Sequence, residues 1–215
     1  MSVLSRSTLL DKLAAKELIV SPLLDDLQIQ DCAIDLRMGN VILLPRSRGI
    51  SHVDPLAYIK TDDDQHHPTQ FKQQKLERHE VPFFQHFLLH PHSLALVPTL
   101  EWVKLPMNVQ GVVTARSSWA REGLSIATAT FVNPGYQGIV TLELANLGEI
   151  PIMLYPGLRL AQIALYELSP DPSQDAQLNK RKSQFDSQFE PAAGNLIDPA
   201  QDPFYPKKKI KESAT

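Results

Sequence analysis

Cysteine is almost absent. Cys32 is the one thiol in 215 residues, so no internal disulfide framework exists, and a reducing compartment, the cytoplasm, is the expected setting. No apolar run approaches the roughly 18 residues of a membrane span, and the opening MSVLSRSTLL has no signal-peptide pattern. No membrane partner is therefore expected. Charge of one sign is lacking too: 21 Lys and Arg face 24 Asp and Glu, a net charge of −3, which argues against a nucleic-acid coat. The chain contains no P-loop and no GxGxxG. Its seven histidines, His52 to His92, form no i, i+4 pair around a Glu on a credible helix, and there is no HxE…PCxxC arrangement. A zinc-dependent nucleobase deaminase needs those ligands, so that chemistry is excluded. Ser117 lies outside any GxSxG elbow, which removes the serine-hydrolase reading.

What is present is ordinary globular material, 43% hydrophobic and 21% charged, enough for one domain with a tail. Proline is the excess: 17 residues, about 8% where roughly 5% is usual. Frequent breaks mean short elements and disfavour a helical bundle. Residues 5–18 read as the one good helix, with Leu9, Leu10, Leu13, Ala14 and Leu18 at helical spacing and Ser5 or Ser7 as its cap. Ile19 to Pro22 reads as a short extended piece. AIDLRMGNVILL (33–44) alternates up to the turn signal Gly39-Asn40 and continues as an apolar strand. Residues 45–80 are polar and read as a surface insertion. Strands are expected again in 83–106, with breaks at Pro91, Pro98 and Pro106, then at 109–115, 125–132, 138–146 and 158–168. Asn133-Pro134-Gly135-Tyr136 and Tyr155-Pro156-Gly157-Leu158 both have the Pro-Gly order of a type II turn. Such spacing predicts a mainly β sandwich or barrel rather than βαβ units. Residues 171–215, with as many Lys and Arg as Asp and Glu, read as a loosely structured tail, and its closing lysines as a solvated run.

Two places invite chemistry. In ARSSWAREG (115–123), Arg116 and Arg121 flank Ser117 and Ser118 after a strand. A serine capping a short helical turn there, with both arginines, would make a phosphate cradle; a plain cap with a solvated arginine pair explains the residues equally well. Glu143 sits mid-strand in GIVTLELAN, with Val140, Leu142 and Leu144 on one face and Ile139, Thr141 and Ala145 sharing its own. Such a carboxylate is at a surface, in an ion pair or in a pocket, and a pocket would raise its pKa towards acid/base use.

ARSSWAREGL, followed by FVNPGYQGIVTLELANLGEIPIMLYPGLRLAQIALYEL, resembles the dCTP deaminase branch of the dCTP deaminase/dUTPase superfamily. DCAIDLRMGN and FLLHPHSLALVPTLEWVKLP resemble its earlier blocks, in order, and the likeness runs through residues 1–190 with 45–80 unmatched. The resemblance implies a distorted antiparallel β-barrel or jelly-roll-like core, with the N-terminal helix, assembled as a homotrimer whose active sites lie between subunits. It divides the chain into a nucleotide deaminase domain (1–170) and a tail (171–215) that is partly an active-site lid. It implies a zinc-independent reaction on a deoxycytidine nucleotide, dCTP foremost, giving dUTP and ammonia, with Mg²⁺ arriving on the triphosphate. Glu143 takes the general base and acid role, Ser117 positions the water and Arg121 supports the glutamate. Arg116 and Ser118 fall at triphosphate positions, the backbone near Thr141 and Leu142 reads the pyrimidine, and Gln162 matches a nucleotide-contacting glutamine.

The chain also departs from that pattern. Asn133 stands where the family has an Asp that, in related dUTPases, contacts the sugar and readies the hydrolytic water; an amide cannot take that proton. In KSQFDSQFEP (182–191) Gln188 keeps the lid's last polar position, Gln184 replaces its Lys, and the Tyr has no counterpart. The segment 129–135 is one residue shorter than in some relatives. Asn133 therefore leaves deamination as the leading expectation, with dUTP pyrophosphohydrolysis, a bifunctional deaminase/dUTPase and a non-catalytic nucleotide sensor as its rivals.

Overall fold

The computed structural model describes residues 2–46, 52–53, 76–126, 130–169, 186–192 and 194. The chain divides into two compact units, Met1–Pro45 with Arg78–Ala192, and Arg46–Glu77 with Ala193–Thr215. In the second, Arg46 pairs with Glu77 at 2.8 Å. The first holds the fold.

Strand β1 (Ser2–Val3) precedes helix α1 (Arg6–Ala14), capped by Ser5, whose hydroxyl accepts from the Thr8 N–H at 3.4 Å. The helix stops short of residue 18 because Lys16 takes a left-handed φ of 58°, and Leu10, expected on the apolar stripe, faces solvent. Leu9 and Leu18 supply the burial instead. Strand β2 (Ile19–Ser21), a 3-10 turn (Asp26–Gln28), β3 (Ala33–Arg37), β4 (Val41–Pro45) and β5 (Leu76–Glu80) follow. The last five residues of the expected insertion are thus a strand. Then come β6 (Phe87–Leu89), β7 (Leu94–Lys104), β8 (Val109–Ala115), helix α2 (Ser117–Arg121), β9 (Leu124–Ile126), β10 (Phe131–Val132), β11 (Gln137–Asn146), β12 (Ile152–Leu154) and β13 (Arg159–Glu167).

The result is mainly β, antiparallel and jelly-roll-like. One sheet runs β1–β13–β8–β10, with β3 also on β13; the other runs β5–β4–β7–β11–β9, with β2 also on β7; β6 and β12 form a ribbon. The sheets stay open rather than closing into a barrel. A single apolar cluster takes Ile34, Leu36, Leu160 and Ile163 from the first sheet and Val97, Val103, Leu142 and Leu144 from the second. Each fully buried leucine contributes about 2 kcal/mol, which is what holds such short elements together.

Three expectations about the strands differ from what is found. Pro98 does not break the strand: β7 runs through it, because the register slips there. Ile139 faces Trp102 but Thr141 faces Pro98, so Thr99 to Glu101 bulge out opposite Val140. The bulge takes the strand past a residue with no N–H to give. The Thr99 hydroxyl holds it, donating to the Glu101 carbonyl (2.7 Å) and accepting from the Val140 N–H (3.0 Å). Second, β3 does not alternate, since all five residues are buried. Its charges are paired inside: Glu101 Oε1 accepts from Arg37 Nε (2.6 Å) and Gln28 Nε2 (2.8 Å), while Oε2 accepts from the Arg37 N–H (2.8 Å). The expected strand 125–132 is two pieces, β9 and β10, on different sheets.

Candidate active site

Strand β11 carries Thr141, Leu142 and Glu143. Leu142 points into the core. On the other face Thr141 lies opposite Pro98 and Glu143 opposite Leu96, which is in turn opposite Leu43 of β4. A carboxylate in that apolar row is poorly hydrated, and burial raises its pKa above the ordinary glutamate value. Among the described residues it has no ion pair and no side-chain hydrogen bond, so the salt-bridged reading does not hold. An unpaired, half-buried carboxylate of raised pKa holds a proton more readily than an ordinary glutamate, which suits it to taking and returning one.

The turn feeding β11 has the expected form. The Tyr136 N–H bonds the Asn133 carbonyl at 3.1 Å and Gly135 takes φ 72°, with Pro134 before it; Asn133 is exposed at its start. The second turn repeats this with Leu158 N–H to Tyr155 O at 3.2 Å and Gly157 at φ 94°. Tyr136 donates its hydroxyl to the Ile139 carbonyl, and burial with the nearby Asp186 charge pushes its pKa up to about 12. Residues 186–188 run along this end of β11: the Gln137 N–H donates to Asp186 Oδ1 (3.1 Å), the Ser187 N–H to Gln137 O (2.6 Å) and the Ile139 N–H to Gln188 O (3.1 Å). Gly138 allows the approach, since a Cβ there would stand 3.3 Å from the Gln188 nitrogen. Gln184 lies outside the described residues.

The serine–arginine segment leaves β8 and forms α2. Arg116, not a serine, occupies the cap position and makes no side-chain cap bond. Neither Ser117 nor Ser118 therefore caps the helix; both hydroxyls are exposed, as is Arg121. Gly123, at φ 85°, ends the turn as its position suggests. The segment is docked on β13 by Arg116 N–H to Leu160 O and Trp119 Nε1 to Arg159 O, both 3.0 Å. Arg116 Nη1 pairs with Asp35 Oδ2 at 2.9 Å. Asp35 is buried, and desolvation raises its pKa against the opposing pull of Arg116 and Arg159. In the sheet Gln162 sits between Asp35 of β3 and Thr114 of β8, and its amide reaches the Thr114 hydroxyl at 3.4 Å.

The structure thus gathers Arg116 and Gln162 with Asp35 at one end of the first sheet. It sets Thr141, Leu142 and Glu143 on the second, with Asn133 and Gln188 at the approach to that strand. Within one chain the side chains of Ser117 and Arg121 make no hydrogen bond or ion pair with Glu143.

A family model for dCTP deaminase-like proteins matches residues 3–168. The chain belongs to the dCTP deaminase-like family. Among its relatives, the dUMP-forming dCTP deaminase of Methanobrevibacter smithii is 30% identical over 91% of this chain and 96% of its own. The dUMP-forming dCTP deaminase of Dictyoglomus thermophilum is 36% identical over 84% and 87%. The dCTP deaminase of Halorubrum lacusprofundi is 35% identical over 90% and 91%. The crystal structure of the dCTP deaminase of Agrobacterium tumefaciens shares the fold, with TM-score 0.58 and 21% identity over 77% of this chain; the match spans 48% of that longer chain.

Sequence reasoning missed two charged residues that stand beside Arg116 in this dCTP deaminase-like chain, Asp35 and Arg159. Asp35 carries the signal that singled out Glu143, a carboxylate inside an apolar strand (AIDLRM). Arg159 has none, because only the pairing of β13 with β3 brings it beside Asp35.

Proposed function

We propose that this protein hydrolytically deaminates a deoxycytidine nucleotide, dCTP foremost, giving dUTP and ammonia with Glu143 as the proton carrier. The observation that carries the reading is Glu143 itself, an unpaired carboxylate raised in pKa by an apolar strand face inside a dCTP deaminase-like fold. Ionised Glu143 takes a proton from a water that adds to C4 of cytosine, then returns it to the departing amino group. Water and dCTP become ammonia and dUTP, and the carboxylate is regenerated. No zinc is needed for those transfers. Mg²⁺ enters on the triphosphate, as part of the substrate.

Ser117 positions the water and Arg121 supports the carboxylate, while Arg116, Ser118 and Gln162 hold the nucleotide and the backbone at Thr141 and Leu142 reads the base. Ser117, Ser118 and Arg121, exposed and without side-chain partners among the described residues, favour a homotrimer in which the serine–arginine segment of one subunit faces Glu143 of the next. Residues 1–170 form the catalytic domain and the tail acts partly as its lid, with Gln188 against the start of β11 supporting that role. No helix among the described residues is long and apolar enough to cross a membrane, and a cytoplasmic setting fits the substrate.

The test is to incubate the protein with dCTP and Mg²⁺ and follow ammonia and nucleotide products. Ammonia with dUTP, both lost in Glu143→Gln, is expected; tight dCTP binding without turnover would replace the proposal with a nucleotide sensor. The dUMP-forming relatives favour a second reading in which pyrophosphate is also released. Asn133 weighs against it, and dUMP among the products would establish it.

A further inference from the structure

Two arginines share one buried carboxylate oxygen. Asp35, 1% exposed, accepts at Oδ2 from Arg116 Nη1 at 2.9 Å and lies 3.5 Å from Arg159 Nη1, with Gln30 Nε2 at 3.4 Å. Its other oxygen, Oδ1, has no partner among the described residues. The charge of Asp35 is therefore balanced through Oδ2 alone, and the two guanidinium groups cannot drift from it without baring a buried anion. That fixes them side by side. Both remain open to solvent, with side-chain exposures of 36% for Arg116 and 28% for Arg159. The free edge of Arg159 is not idle: Nη2 donates to Asp25 Oδ2, and Nη1 also reaches the Leu27 carbonyl at 3.4 Å.

Asp25 differs from Asp35 in kind. It is 45% exposed and stands before the 3-10 turn, where its side chain makes no cap bond. Leu24 and Leu27 on either side of it are also exposed, and the segment is anchored only beyond Asp25, by the buried Gln28 and Ile29. An ion pair with so exposed a partner is weak, because solvent and salt screen it. A phosphate offers the same guanidinium edge more charge and a bidentate fit.

We propose that Arg159 is a second phosphate-holding arginine, fixed beside Arg116 by Asp35, and that the Asp25 carboxylate occupies its free edge until a polyphosphate displaces it. The inference extends the nucleotide reading above and rests on it for the identity of the natural ligand. An oligophosphate and Asp25 compete for one guanidinium. Asp25 then weakens ligand binding by holding the empty site closed, and it leaves when the site fills. Arg159 does no chemistry on the base.

Inorganic tripolyphosphate with Mg²⁺, titrated calorimetrically into the full chain, is the probe, and dCTP turnover is measured in parallel. Arg159→Ala is expected to weaken tripolyphosphate binding about tenfold or more and to raise KM for dCTP by more than it lowers kcat. Asp25→Asn, a surface change that leaves the fold untouched, is expected to tighten tripolyphosphate at least about threefold. If Asp25→Asn binds tripolyphosphate no more tightly than the native chain, the competition is refuted even where Arg159→Ala fails to fold. Unchanged binding in a folded Arg159→Ala, or no binding by the native chain, refutes the phosphate role. Arg159-dependent tripolyphosphate binding without dCTP turnover would leave this inference standing and remove the deaminase reading instead.

Discussion

Replacing Arg37 by Met removes the counter-charge of a wholly enclosed carboxylate. Glu101 is 0% exposed and accepts from Arg37 Nε at 2.6 Å, from the Arg37 N–H at 2.8 Å and from Gln28 at 2.8 Å. Methionine keeps the volume and the backbone N–H but leaves the charge bare. It also frees the Pro22 carbonyl, which Arg37 Nη2 holds at 2.8 Å. Breaking a buried pair from one side costs about 3–5 kcal/mol. In a chain of this size each kcal/mol moves Tm by about 2–4 °C, so a fall of about 6–20 °C is expected. Removing both charges in Arg37→Met/Glu101→Leu replaces the pair by apolar packing, and most of that loss should return. Thermal and urea unfolding followed by circular dichroism measures both variants. A single mutant within about 2 °C of the native chain, or a double mutant no more stable than the single, would refute the account. The consequence for the site is direct: Arg37 ends the strand that carries Asp35, and the Glu101 carbonyl anchors the Thr99 hydroxyl that holds Val140 beside Thr141.

Other perturbations test separate parts. Glu143→Gln should cut deamination by about 10²–10⁴-fold in a steady-state ammonia assay. Because burial raises the native pKa of Glu143 above its unfolded value, the native state pays for ionising it as pH rises through that native value. The Gln variant should therefore be at least as stable as the native chain at neutral pH, an advantage that vanishes in acid, and the acid limb of the native rate profile should lie above the usual glutamate range. Asn133→Asp should raise pyrophosphate release from dUTP, read by a phosphate-coupled assay; a flat response would show that position 133 does not set the product. Thr99→Val strands the buried Val140 N–H and should cost about 1–3 kcal/mol in urea unfolding. Gly135→Ala needs a left-handed φ of 72° and puts a Cβ 2.3 Å from the Met107 sulfur, so it should both lower Tm and reduce turnover.

Local chemistry made part of this protein legible from its residues. The two Pro-Gly turns follow from the dihedral limits of those residues, and both are present. Glu143 stood out because a carboxylate amid Leu and Val demands an explanation. Pro98 misled, since a proline's missing N–H breaks a strand only if the register stays even, and the bulge opposite Val140 makes it uneven. The serines misled for a related reason: a hydroxyl suits a helix cap, but docking of the segment on β13 handed the cap position to Arg116.

By itself the sequence determined the β-rich class, the positions of most strands, the family and the carboxylate to watch. Each of these rests on local pattern, on residue type within a span of a few neighbours. The tertiary structure decided which charges meet. Asp35, Arg116 and Arg159 are scattered along the chain, and only the pairing of β3 and β8 on either side of β13 brings them together. Sheet registry of that kind joins residues distant in sequence, and nothing in local periodicity encodes it. The burial that raises the pKa of Glu143 has the same origin, because it is set by strands that the neighbours of Glu143 in sequence do not name.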